Sequence, residues 1–147
     1  MAAVPPLAAA KGATDTYVNA RYGYSVSYPR GLFKPQPESD SGDGRVFTAT
    51  RDGAEFRVWA NYAGQDMTPT QLADEILADC TGHKASYRVV KPNLVAISCQ
   101  SSQGVLYEKE LIHNGLVTAF MITYPSAQSA YWNPVTAAIS NSLRAGH

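Results

Sequence analysis

Apolar and polar positions alternate with a period of two over much of the chain, which is the signature of strands with one face buried. From Tyr17 to Pro29 the residues Tyr22, Tyr24, Val26 and Tyr28 share one face, with Gly23, Ser25 and Ser27 on the other. The pattern predicts one strand stopped by Pro29. Val46–Arg51 and Glu55–Tyr62 predict a hairpin about Asp52-Gly53, with a loop of two or three residues. The period then changes. Thr68-Pro69-Thr70-Gln71 offers a cap, a first-turn proline and a capping-box glutamine. Leu72, Ile76, Leu77 and Cys80 follow on one helical face, with Asp74, Glu75 and Asp79 outward and Gly82 as the stop.

Four more strands are predicted beyond it: Ser86–Lys91, Leu94–Cys99, Val105–His113 and Leu116–Tyr124. Asn114-Gly115 is a two-residue turn that sets Leu111 opposite Thr118, Lys109 opposite Phe120 and Tyr107 opposite Ile122. Tyr107, Leu111, Phe120 and Ile122 then face the core, and Glu108 and Glu110 take the other face beside Met121 and Ala119. Pro125-Ser126 opens a short turn, and Asn133-Pro134 predicts a capped restart of a closing helix with Val135, Ile139 and Leu143 inward. The order is β-β-β-α-β-β-β-β-α. It predicts an α+β domain, an antiparallel sheet of about six to seven strands with helices packed on it.

Length agrees with one domain, since 147 residues split in two would leave halves with poor cores. Residues 1–16, beginning Ala/Pro-rich, are read as a flexible leader and 17–147 as the domain. The leader lacks the basic start of a complete signal peptide but fits the remnant of an export signal. Twelve Lys plus Arg balance twelve Asp plus Glu, and each half of the chain is also balanced. No basic stripe for nucleic acid is present, and no apolar run is long enough to cross a bilayer as a helix.

Cys80 and Cys99 are outside any CxxC pattern, and three histidines cannot make a convincing zinc set with them. The alternatives are two buried thiols or one disulfide. The even count and the export-like leader favour the disulfide, and with it a periplasmic or otherwise exported location.

The pieces Tyr22-Gly-Tyr-Ser-Val-Ser-Tyr-Pro29, Gly31-Leu-Phe33, Gly42-Asp-Gly-Arg-Val-Phe47 and the helix from Tyr131 to Leu143 resemble the Mog1/PsbP-like fold and its small exported bacterial members. The resemblance spans roughly residues 17–143 in element order. It implies a non-catalytic binding module: an assembly subunit, a chaperone-like adaptor or an immunity protein. It carries no catalytic motif across.

Chemistry-bearing patterns are sparse. G-x-S-x-G, G-x-G-x-x-G and a Walker A run are absent. Cys99 with His83 or His113 lacks a family signature, and a disulfide would remove it as a nucleophile. Asp40 and Asp43 sit in the acidic loop Glu38–Gly44, which reads as a solvated turn more readily than as a calcium loop. Glu108 and Glu110 lie about 7 Å apart along one strand, a spacing that suits the two carboxyls of glycoside hydrolysis in principle, but an edge or solvent-facing strand would carry the same pair merely for solubility, and that is the expectation. No cofactor and no metal site are expected.

Nine tyrosines and two tryptophans against four phenylalanines leave aromatic recognition as the residual signal. Trp59 shares a face with Arg57, and Tyr131-Trp132 falls at the expected helix break. These four, with Asp40 and Asp43 in the exposed and mobile loop 35–44, are the candidate contacts for a protein partner, a secreted toxin or an envelope assembly. A small hydrolase and a small-ligand or lipid carrier are the alternatives.

Overall fold

The computed structural model describes residues 13–147. Nine strands and two helices follow in order: β1 Thr14–Val18, β2 Ser25–Pro29, β3 Phe33–Pro35, β4 Gly44–Ala49, β5 Glu55–Asn61, α1 Pro69–Leu77, β6 Tyr87–Lys91, β7 Leu94–Ser101, β8 Gly104–His113, β9 Leu116–Tyr124 and α2 Ser129–Ser142. Seven strands form one antiparallel sheet in the order β3-β4-β5-β9-β8-β7-β6, and β1 pairs with β2 as a separate ribbon. The expected α+β class and sheet size are therefore present.

The β8–β9 register is the one the Asn114-Gly115 turn predicts, with Leu111 on Thr118, Lys109 on Phe120 and Tyr107 on Ile122. Both turn residues have positive φ, 52° at Asn114 and 80° at Gly115, as a tight primed turn requires. Helix α1 starts with the predicted capping box, Thr68 and Gln71 each bonding the other's backbone N–H. It ends at Leu77 rather than running to Gly82, which instead takes the left-handed conformation in the following 3-10 turn.

Each sheet face has its own core. Ribbon β1–β2 and helix α2 cover one, burying Tyr24, Phe47, Phe56, Phe120, Ile122 and Trp132. Helix α1 covers part of the other over β6 and β7, with Leu72, Ile76, Val95, Ile97, Leu106 and Val117. The Cys80–Cys99 disulfide joins the end of α1 to β7, so neither cysteine is free.

Several expectations are corrected. The single strand Tyr17–Pro29 is a hairpin, because the Asn19 side chain accepts the Tyr22 N–H at 2.8 Å and Gly23 adopts φ 77° to bond back to Asn19. The domain starts earlier than residue 17, since Thr14–Thr16 already pair with β2; residues 1–12 of the expected leader lie outside the described residues. The loop between β4 and β5 spans five residues, 50–54. The closing helix does not break at Tyr131-Trp132: α2 runs through Pro134, and the Asn133 side chain accepts the Tyr124 hydroxyl at 2.6 Å instead of capping.

Loop 35–44 is not a free strap. Asn19 and Arg21 donate to the Gly42 and Ser41 carbonyls, the Tyr24 hydroxyl donates to that of Asp43, and the Tyr17 hydroxyl donates to Glu38. Its side chains from Glu38 to Ser41 are exposed, but its backbone is tied to the β1–β2 turn.

Candidate functional site

Because α1 lies over β6 and β7, the β4–β5–β9 half of the same sheet face is left open. A cleft of about 550 Å³ forms there, floored by the sheet and walled on one side by Leu72, Glu75, Ile76 and Asp79 of α1. Cross-strand pairing fixes the floor. One row runs Val46–Arg57–Met121–Glu108–Ile97, and the next runs Gly44–Trp59–Ala119–Glu110–Val95. Trp59 and Glu110 are two strands apart, about 10 Å, with only the Ala119 methyl between them. A side chain at Gly44 would collide with the Val58 carbonyl and Trp59 Cβ, so small residues flank Trp59 on both sides.

The predicted residues separate into two groups. Arg57, Trp59 and Asp43 line the cleft. Asp40 is exposed at the loop tip and does not. Tyr131 and Trp132 lie elsewhere. Trp132 has no exposed surface, packs on Phe33 and Tyr131, and donates its indole N–H to Asp52 at 2.8 Å. The Arg51 guanidinium stands 3.7 Å over the Tyr131 ring. That pair fastens α2 to the β4–β5 loop, and Trp132 is a core residue rather than a recognition anchor.

Glu108 and Glu110 overturn their sequence reading. They share the predicted face, but they are 6% and 7% exposed, not solvent-facing. Sequence could place them on that face; only the landing of α1 across β7 decides that the face is buried at β8. Glu75 and Asp79 reach the same end of the cleft from α1, where helical periodicity marks them merely as outward.

The fold can be placed among solved structures. No family model and no curated protein matches the chain. The solution structure of cyanobacterial PsbP (CyanoP) from Synechocystis sp. PCC 6803 superposes with a TM-score of 0.67 at 14% identity, over 90% of this chain and 92% of that one. The fold is Mog1/PsbP-like. A crystal structure from Bacteroides thetaiotaomicron VPI-5482 matches at a TM-score of 0.50 and 14% identity, and the chain spans 48% of its length.

Within this PsbP-like domain the electrostatics of the cleft are uneven. Burial, then a hydrogen bond from Glu108 to Glu110, raises the Glu108 carboxyl well above the usual range. Burial also raises Glu110, though less, because it is the acceptor in that bond. At the cleft's other end the Ser39 hydroxyl donates to Asp43 and lowers its carboxyl. Arg57 gives one guanidinium nitrogen to Glu55 at 2.6 Å, while its Nε is buried without a partner. Among the described residues no group of metal-ligand type is assembled.

Proposed function

We propose that this PsbP-like domain is an exported, non-catalytic protein-binding module whose partner docks on the open half of the second sheet face. The observation that carries the reading is the cleft itself. A sheet face half covered by α1 presents Trp59 and Arg57, the residue types that dominate protein contacts, beside a buried acid pair. The disulfide agrees with an oxidising compartment. A secreted toxin, with this chain as its immunity protein, and an envelope assembly, with this chain as adaptor, are the two partners this reading admits.

The chemistry of the residues argues against the hydrolase alternative. Cys99 is spent in the disulfide, and His83, His113 and His147 are exposed and away from the cleft. The charged lining also disfavours a lipid carrier, which needs an apolar cavity.

Photo-crosslinking tests the reading. A photoreactive residue at position 59, in cells that naturally make the protein, is expected to capture one discrete protein, and the same residue at exposed Tyr87 is not. No adduct at 59, or equal adducts at both positions, overturns it. Turnover of an ester, peptide or glycoside by the purified domain, lost in a folded Glu108→Gln variant, would overturn the non-catalytic half.

A further inference from the structure

Glu110 is 7% exposed and its Oε1 has no hydrogen-bond partner. Its neighbour Glu108 is as deeply buried and can satisfy it only by carrying a proton between them. The ion pairs among the described residues are Arg30–Asp15, Arg51–Asp52 and Arg57–Glu55, and none engages the acid pair. Lys109, between the two glutamates in sequence, points through the opposite face and donates to the Ser140 carbonyl at 3.0 Å. Glu75 and Asp79 add acceptors from α1, so this end of the cleft holds four carboxyl groups. Arg57, the cation facing it across Met121, is already held by Glu55.

A buried carboxyl without a cation is stable only as the acid or with a charged donor beside it. The floor leaves room for such a donor: the gap over Ala119, between Glu110 and Trp59, is lined by an acceptor on one side and an indole on the other. Resting on the protein-binding reading above, we propose that the acid end of the cleft is the seat of one arginine side chain of the partner protein, its guanidinium donating to Glu110 and Glu108 and packing along Trp59. Arginine fits better than lysine because its planar fork serves two carboxyls at once and its face stacks on an aromatic ring. The incoming cation takes the place of the shared proton, so binding releases a proton and strengthens as pH rises. Glu75 and Asp79 act in the same direction as the pair, and Arg57 opposes.

The test uses the full chain and a blocked pentapeptide with arginine at the centre of four glycines, followed by the Trp59 indole N–H resonance. Saturable shifts at millimolar peptide are expected, with the citrulline version giving none and the lysine version binding less tightly. Affinity in the wild type is expected to rise as pH is taken upward from the ordinary carboxylate value of 4.5 through the raised values of the pair. Glu110→Gln, which removes a buried charge and keeps the shape, is expected to weaken binding about tenfold or more. Glu75→Gln, an exposed substitution that leaves the core alone, is expected to weaken it about twofold. Equal shifts with citrulline, or unchanged affinity in Glu110→Gln, overturn the seat. If cross-linking from position 59 succeeds while citrulline matches arginine, the seat falls and the protein-binding reading stands. If the arginine peptide binds as stated and position 59 captures no protein, the acid seat stands and that reading falls.

Discussion

The two faces of the sheet bury their polar groups on opposite terms. Under α2 and the β1–β2 ribbon, aromatic rings are large and numerous, yet their polar tips find partners: Tyr17 with Glu38, Tyr24 with the Asp43 carbonyl, Tyr124 with Asn133 and Trp132 with Asp52. Phe47 stacks on Phe56 at 4.4 Å between ring centres, and Phe33 meets Phe56 edge-on at 4.8 Å. Under α1 the core is smaller and aliphatic, fastened by a disulfide, and beside it lie two carboxyls without a cation. The first face is satisfied but for the Thr136 hydroxyl of α2, and it stabilises the fold. An unsatisfied one that also stays half open is free to be completed by something else, which is why the functional proposals attach there.

Substitutions on the two faces can break this contrast. Trp132→Ala is expected to cost about 3–5 kcal/mol in chemical denaturation, by leaving a cavity and stranding Asp52. A loss below about 1 kcal/mol would remove Trp132 from the core. Reducing the disulfide, or replacing both cysteines by serine, is expected to cost about 3 kcal/mol for this loop in the chain-entropy model. Reduction should loosen α1 before α2, so amide exchange should rise first over residues 69–80; uniform loosening would show that the faces are not separate units.

The acid pair makes a pH-dependent prediction with a defined sign. Folding raises both carboxyls, so the folded state holds protons that the unfolded chain has released. Their favourable contribution is complete below the ordinary value of 4.5 and is lost as pH rises through the raised values. Glu108→Gln is therefore expected to stabilise the free protein at neutral pH and to flatten that decline in a series of denaturation curves. A wild-type stability that rises from pH 4.5 to neutrality and does not respond to the substitution would contradict the burial of the pair. The smallest expected effect is at the open cleft. Trp59→Ala should change stability by less than about 1 kcal/mol while weakening the arginine peptide, followed in that variant by the backbone amide resonances of β8 and β9 because the indole reporter is gone. A large stability loss there would make Trp59 a core residue like Trp132.

Much of the architecture was legible because it depends on local periodicity and turn chemistry. The capping box of α1, the primed turn at Asn114-Gly115 and the faces of β5, β8 and β9 follow from residues close together in sequence. The failures share a cause as well. The Asn19 side chain bonds across three residues to close a turn, and a run of tyrosines with regular alternation concealed it. Tyr131-Trp132 beside Asn133-Pro134 looked like a break, but packing of Trp132 on Phe33 and of Val135 and Ile139 in the same core carries α2 through the proline.

The sequence by itself determined which residues share a face, because the strand period of two and the two-residue turn leave no freedom once the register is set. It placed Arg57 with Trp59, and Glu108 with Glu110, on one side of the sheet. Whether that side is wet or dry was decided by tertiary structure alone. Burial depends on which strands a helix lands on, and α1 lies over β6 and β7, far enough to bury the glutamates of β8 and not far enough to cover β5. A solvated acid pair and a buried one have the same spelling. Their chemistry differs because the cost of a charge is set by the water around it, and that water is excluded by residues distant in the chain.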